Sequence, residues 1–233
     1  MIASSQGGQV GQGHADWLHN ARAHLRSADP VLAKLIAERP DFDPRQWMTE
    51  LPPMDLFGAL LFQVAGQQLS VAATRRILAR IEARFGGRLP SASDVLSTDP
   101  AQFRDAGLSW RKVSTLRDLA ARTTDGRLDP DVLSALADDE LIARLTEIPG
   151  IGPWTAQGAL IIALGREDVV LPGDLALRRA VRTTYRLDHL PAEEEVLAIA
   201  EKWQPYRSLA TAYLFSAAYE ESQQAAGERR QTS

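Results

Sequence analysis

Apolar residues recur at helical spacing along almost the whole chain, and no run alternates as a half-buried strand does. In "VAATRRILARIEARFG" the residues Val71, Ile77, Leu78, Ile81 and Phe85 share one face. Ser70 stands where a helix N-cap belongs and Gly86 where a helix stops. "MDLFGALLFQVAGQQ" is apolar nearly all round, which predicts a buried central helix capped by Asp55. "SWRKVSTLRDLAART" predicts a helix from Ser109 to about Thr124. "DDELIARLTEI", "PWTAQGALIIALG", "DLALRRAVRTTY", "AEEEVLAIAEKW" and "RSLATAYLFSAAYEES" complete the set, with loops at "GGRLP" and "GRLDP". The pattern predicts an all-α fold. Residues 1–13 read as a disordered arm and 223–233 as a frayed tail.

The helical pattern breaks at "EIPGIGPWTA". Two helices meet there across Pro149-Gly150-Ile151-Gly152, and Pro153 suits the first turn of the second helix. No strand precedes the glycines and a third glycine is missing, so this is not a dinucleotide fingerprint. Glycines in such a hairpin let a partner approach the backbone closely. The second helix opens with free N–H groups and a positive dipole end, which suits phosphate. A plain αα-turn with glycines for tightness accounts for the same residues.

Composition narrows the chemistry. There is no cysteine, which excludes disulfides, thiolate metal sites and a cysteine nucleophile. His14, His19, His24 and His189 show no zinc-ligand spacing, and the first three fall on one polar helix. The start has no basic region followed by an apolar run, and no stretch is apolar enough to span a membrane, so a cytoplasmic protein is expected. The net charge of -4 speaks against a polyanion partner only on average. Basic residues cluster at Arg75 to Arg88, Arg104 to Arg127 and Arg178 to Arg186, and acids gather elsewhere, as at Glu193 to Glu195. A polarised surface of this kind is compatible with nucleic acid, although each run alone is more simply a solvated helix face.

The hairpin resembles the helix-hairpin-helix motif of DNA repair proteins. "VAGQQLSVAAT", "AGLSWRKVSTLRDLA", "LPGDLALRRAV" and "KWQPYRSLATAYLF" look like further blocks of the 3-methyladenine DNA glycosylase II branch, in family order over about 55–219. The resemblance implies a two-lobed helix-hairpin-helix glycosylase fold with the active cleft between lobes. One lobe is about 55–165, with the hairpin at 145–156, and the other combines 14–54 with 166–222. Too few residues precede Asp55 for the extra N-terminal β-domain of some members, which implies a compact one.

The resemblance also assigns roles. Asp174, twenty residues past Trp154, is the expected catalytic carboxylate; on residue type alone it is the N-cap of "LALRRAV". Asp168 is the runner-up. Relatives that cut the strand carry a lysine nucleophile where this chain has Trp154, so a monofunctional enzyme using water is expected. Trp154 and Phe215 are expected to stack on a flipped base, and Gln68 to enter the duplex in its place. Gly158, where relatives place an aromatic, suggests a roomier or differently shaped pocket. Gly150, Ile151, Gly152 and Thr155 would meet the DNA backbone, and carbonyls of Thr146, Ile148 and Ile151 would hold a monovalent cation, Na+ or K+. No cofactor is expected for catalysis. The expected partner is damaged double-stranded DNA, met by a monomer associated with the nucleoid, with no membrane and no nucleotide cofactor. The expected activity is excision of alkylated purines in base-excision repair. A related glycosylase for deaminated or oxidised bases and a non-catalytic DNA-binding module stand beside it as alternatives.

Overall fold

The computed structural model describes residues 6–43, 54–129, 132–133 and 135–231. Among them the regular structure is helical, and no strand occurs. The chain forms two compact units, Trp47–Val169 and Met1–Gln46 with Val170–Ser233. These borders lie eight and four residues from the 55 and 165 drawn from sequence.

In the unit Trp47–Val169, helix α3 (Leu56–Gly66) is the core element. Its apolar residues leave it no polar face, and Leu60, Leu61, Val64 and Ala65 are all buried. Asp55 caps its start, accepting from Gly58 N at 2.8 Å. Around it pack α4 (Val71–Glu82), α7 (Trp110–Thr124) and α9 (Pro153–Leu164). Short helices α5 (Ala92–Ser97) and α6 (Pro100–Asp105) lie on α7, and α8 (Asp138–Thr146) packs on α9. Ser70 and Ser109 cap α4 and α7 through their hydroxyls. Gly86 takes the left-handed conformation after a single 3-10 turn that prolongs α4. Leu116, Leu119, Leu145, Ile148, Ala156 and Leu160 close the core. Each fully buried leucine contributes about 1.5–3 kcal/mol by leaving water.

The second unit contains α1 (Gln6–Ala28), α2 (Pro30–Glu38), α10 (Leu175–Tyr185), α11 (Glu193–Ala200) and α12 (Arg207–Gln231). Its centre is polar as well as apolar. Asp29 is fully buried and caps α2 by accepting from Val31 N at 2.9 Å. It also accepts from Trp203 Nε1 at 2.9 Å and from the Tyr185 hydroxyl, with Lys202 Nζ at 3.2 Å. Burial alone would raise the Asp29 pKa; the bonds from Tyr185, Trp203, Val31 and Lys202 outweigh burial and hold it below the ordinary carboxylate value. The network pins the last residue of α10 to the start of α2.

Both chain ends differ from expectation. The arm expected over 1–13 is helical from Gln6, because α1 is anchored by buried Ala21 and Leu25 and each further residue adds a hydrogen bond to an existing helix. The tail expected to fray after 222 continues α12 to Gln231; its "ESQQAAGERRQ" is built mostly of good helix formers. Residues 1–5 and 232–233 of those expected ends lie outside the described residues.

Candidate active site

The hairpin begins where α8 ends at Thr146 and closes on α9 at Pro153. Its two glycines serve different ends. Gly150 has φ +93°, and a Cβ there would overlap the Thr115 hydroxyl, which donates to Pro149 O at 2.9 Å. Internal geometry therefore demands Gly150. Gly152 has an ordinary φ of -96°, and a Cβ there would meet nothing within 4 Å. Nothing inside the protein requires glycine at that position. As N-cap of α9 it gives the first-turn N–H groups no side-chain acceptor, and Gly152, Pro153 and Trp154 are exposed. An open helix start at the surface suits an anion.

Thr155 is turned the other way. It is buried, and its Oγ1 accepts from Gln67 Nε2 at 2.9 Å. Of the groups expected to face the DNA backbone, the Thr155 side chain is thus excluded; only its N–H belongs to the open end of α9. Ile151 is likewise buried, which leaves its backbone for that role.

The loop after α3 joins this hairpin. Gln67 Nε2 also donates to Gly150 O at 2.9 Å. Lys112, on the first turn of α7, is buried and donates from Nζ to Ala65 O and Gln67 O, both at 2.8 Å. Its ammonium sits on the C-terminal carbonyls of α3, where the helix dipole favours a cation. Desolvation, with a smaller contribution from the Arg111 charge, lowers its pKa. This clamp holds Gln68 exposed at φ +58°, a left-handed conformation that a side chain adopts at a cost of about 1–2 kcal/mol. Backbone strain of this kind is characteristic of functional positions. Exposed Leu69 follows it.

Trp154 is 37% exposed on the first turn of α9. One turn along lies Gly158, where a roomier or differently shaped pocket is expected. The carboxamide of Gln63, from α3, lies flat against Gly158: a Cβ at 158 would meet its nitrogen, with its carbon at 2.7 Å and its oxygen at 3.1 Å. An amide fills the space that glycine opens.

Asp174 stands at the start of α10 in the other unit. Its carboxylate accepts from Leu177 N at 2.8 Å, and its own N–H bonds Leu171 O at 3.0 Å across the Pro172-Gly173 turn. The side chain is half-buried and its backbone is fixed at both sides. Phe215 is half-buried on α12, which packs against α10. Asp168 belongs to the unit Trp47–Val169, in the segment after α9. No group of His, Asp or Glu among the described residues forms a metal-binding cluster. Nor is any helix there long and apolar enough to cross a membrane. Sequence reasoning missed Gln63, Gln67, Lys112 and Thr115. Gln67 sits in the same "GQQLS" block as Gln68, and Lys112 and Thr115 in "AGLSWRKVSTLRDLA", but nothing local marks the contacts they make or points to Gln63.

Known proteins resemble this chain. The family model described as HhH-GPD superfamily base excision DNA repair protein matches residues 63–205. DNA-3-methyladenine glycosylase 1 of Schizosaccharomyces pombe is 32% identical over 200 residues, covering 85% of this chain and 86% of the relative. The DNA-3-methyladenine glycosylase of Saccharomyces cerevisiae is 31% identical over 194 residues; the match covers 79% of this chain and 65% of that protein, just under two thirds of its length. The solved structure of the S. pombe 3-methyladenine DNA glycosylase Mag1 with abasic DNA superposes with a TM-score of 0.78 at 30% identity, covering 86% of this chain and 97% of that one. A hairpin with an open helix start, an aspartate fixed at a helix cap and a family match over more than half its length place the chain in one group: it belongs to the HhH-GPD superfamily of base excision DNA repair proteins.

Proposed function

We propose that the protein is a monofunctional DNA glycosylase that removes alkylated purines such as 3-methyladenine and 7-methylguanine from double-stranded DNA. The observation that carries the mechanism is the Asp174 carboxylate locked to Leu177 N at 2.8 Å. In this reading the target nucleotide is flipped out, Gln68 fills the gap and Trp154 stacks on the base, with Phe215 a second aromatic for it. The C1′–N bond breaks with its electron pair leaving on the base. An alkylated purine carries positive charge and needs no acid to depart. Asp174 stabilises the sugar cation, and water adds to C1′ as its proton passes to the carboxylate or solvent. Trp154 occupies the position where strand-cutting relatives carry an amine, and an indole forms no Schiff base. The strand therefore stays intact at an abasic site.

Phosphate lies at the bare start of α9, near the N–H groups that Gly152 leaves uncapped. The carbonyls of Thr146, Ile148 and Ile151 suit Na+ or K+. Ile148 O accepts one main-chain bond, from Ile151 N at 3.0 Å, and no main-chain N–H among the described residues reaches the other two. A bound cation there would supply positive charge beside phosphate. The protein acts as a monomer where the chromosome lies in the cytoplasm.

The test is single-turnover excision on duplexes carrying 3-methyladenine, 7-methylguanine, hypoxanthine, uracil or 8-oxoguanine. Release of the alkylated purines, with strand scission only after alkali and no borohydride-trapped adduct, is the expected result. Preference for an oxidised or deaminated base, or a trapped lysine adduct, would contradict it.

A further inference from the structure

Gln63 has no role so far, and its setting is unusual. Its carboxamide lies against the backbone of α9 at Gly158, so close that a Cβ there would push it aside. Gly158 and Trp154 are four residues apart on one helix and share a face. The amide therefore sits one helical turn from the exposed indole. Among the described residues no hydrogen bond is made by either end of that amide, and Gln63 is only half-buried. A carboxamide is a two-donor, two-acceptor group, and this half-buried one keeps those positions for water or a ligand. Leu60, Leu61 and Val64 on the same helix are fully buried, so an apolar residue at 63 would suit the packing equally.

We propose that Gln63 is a specificity-determining residue that hydrogen-bonds the edge of the base stacked on Trp154. This rests on the glycosylase reading above. The ligand it fits is an adenine-derived base. Glutamine pairs in bidentate fashion with adenine, its Oε1 accepting from N6–H and its Nε2 donating to N7. 3-Methyladenine keeps both groups. In 7-methylguanine that edge is blocked, because N7 carries the methyl and position 6 is an acceptor oxygen; one bond at most remains. Gly158 is then explained as the residue that makes room for the amide, replacing an aromatic wall with a polar reader.

The experiment compares single-turnover rates on 3-methyladenine and 7-methylguanine duplexes for the wild type, Gln63→Leu, Gln63→Glu, Gly158→Ala and the Gln63→Leu/Gly158→Ala pair. Gln63→Leu should slow 3-methyladenine release between about fivefold and a hundredfold, the worth of a bidentate pair, and 7-methylguanine release by less than about threefold. Gln63→Glu keeps the shape but sets an acceptor against N7, so it should lose as much. Gly158→Ala displaces the amide and should reproduce the selective loss, with the pair no worse than either single variant. Thermal melts taken alongside separate folding from recognition. Equal loss on both bases, no loss on either, additive loss in the pair, or selective loss of 7-methylguanine overturns the proposal. A wild type that releases neither base defeats the glycosylase reading instead.

Discussion

Helices α9 and α10 start in opposite ways, and in the proposed reading the difference separates gripping from chemistry. α9 starts on Gly152, with no side chain to satisfy its first turn and open space around its Cα. α10 starts on Asp174, whose carboxylate satisfies Leu177 N. Six other helices among the described residues follow the second pattern, with Asp29, Asp55, Ser70, Ser91, Asp99 and Ser109 as side-chain caps. α8 and α11 start on Ala137 and Ala192, also without a side-chain cap, but among these only α9 combines that with a glycine and the hairpin at 149–152. It forgoes a cap worth a few tenths of a kcal/mol over glycine and keeps a positive helix end open to an anion from outside. α10 does the reverse. Its cap spends one lone pair on the helix and holds the remaining oxygen in a fixed place.

The largest expected effect tests the fixity of α10. Its far end is held by Tyr185 on Asp29. Asp29→Ala strands the Tyr185 hydroxyl, the Trp203 indole and the Lys202 ammonium, and should cost about 3–5 kcal/mol in denaturant unfolding. The same carboxylate gives a pH signature. Its folded pKa lies below the unfolded one, so its stabilisation is full above about pH 4 and is lost as pH falls through the folded value. The acid limb of the wild-type stability curve should flatten in Asp29→Ala; an unchanged limb would show that the network does not hold the helix.

Next in size is Gly150→Ala. The left-handed backbone and the overlap with Thr115 should cost about 1–3 kcal/mol and loosen the hairpin. Duplex affinity should fall with it. A thermal melt beside a binding titration checks both, and retained affinity would remove the hairpin from the interface.

Gly152→Asp, the smallest change in stability, sharpens the comparison by giving α9 the start that α10 has. Stability should rise by a few tenths of a kcal/mol, because the carboxylate caps the first turn. Duplex affinity should drop at least about tenfold, because a negative group now occupies the phosphate position. Gain in one with loss in the other is the expected pair. Unchanged affinity would mean that phosphate does not bind there.

These local features are what sequence conveys well. Asp55, Ser70 and Ser109 as caps, Gly86 as a stop, Pro153 as a first helical residue and Asp174 as a cap all follow from chemistry within four residues of the helix end. The partners that position them come from far away. Gln67 reaches Thr155 across 88 residues, and Trp203 reaches Asp29 across 174. No spacing rule reports such pairs, so Thr155 read as a surface contact when its hydroxyl is committed inside. Gly158 is a further case: its missing side chain signals a change of shape, and only the packing of α3 on α9 shows that the Gln63 amide lies there. Chain ends were misread because glycine and polar residues suggest disorder in isolation, whereas a helix anchored elsewhere extends through them.

The central claim is that the Asp174 charge, beyond its cap, drives the reaction. The most direct measurement is single-turnover release of 3-methyladenine by Asp174→Asn, with a thermal melt and binding to an abasic-site duplex on the same preparation. The amide can still accept from Leu177 N, so the melt should hold and the duplex should still bind. Excision should fall by about a hundredfold to a thousandfold, equivalent to about 2.7–4 kcal/mol of lost electrostatic stabilisation. A well-folded variant that binds DNA and excises at the wild-type rate would contradict the claim and leave Asp174 as a helix cap alone.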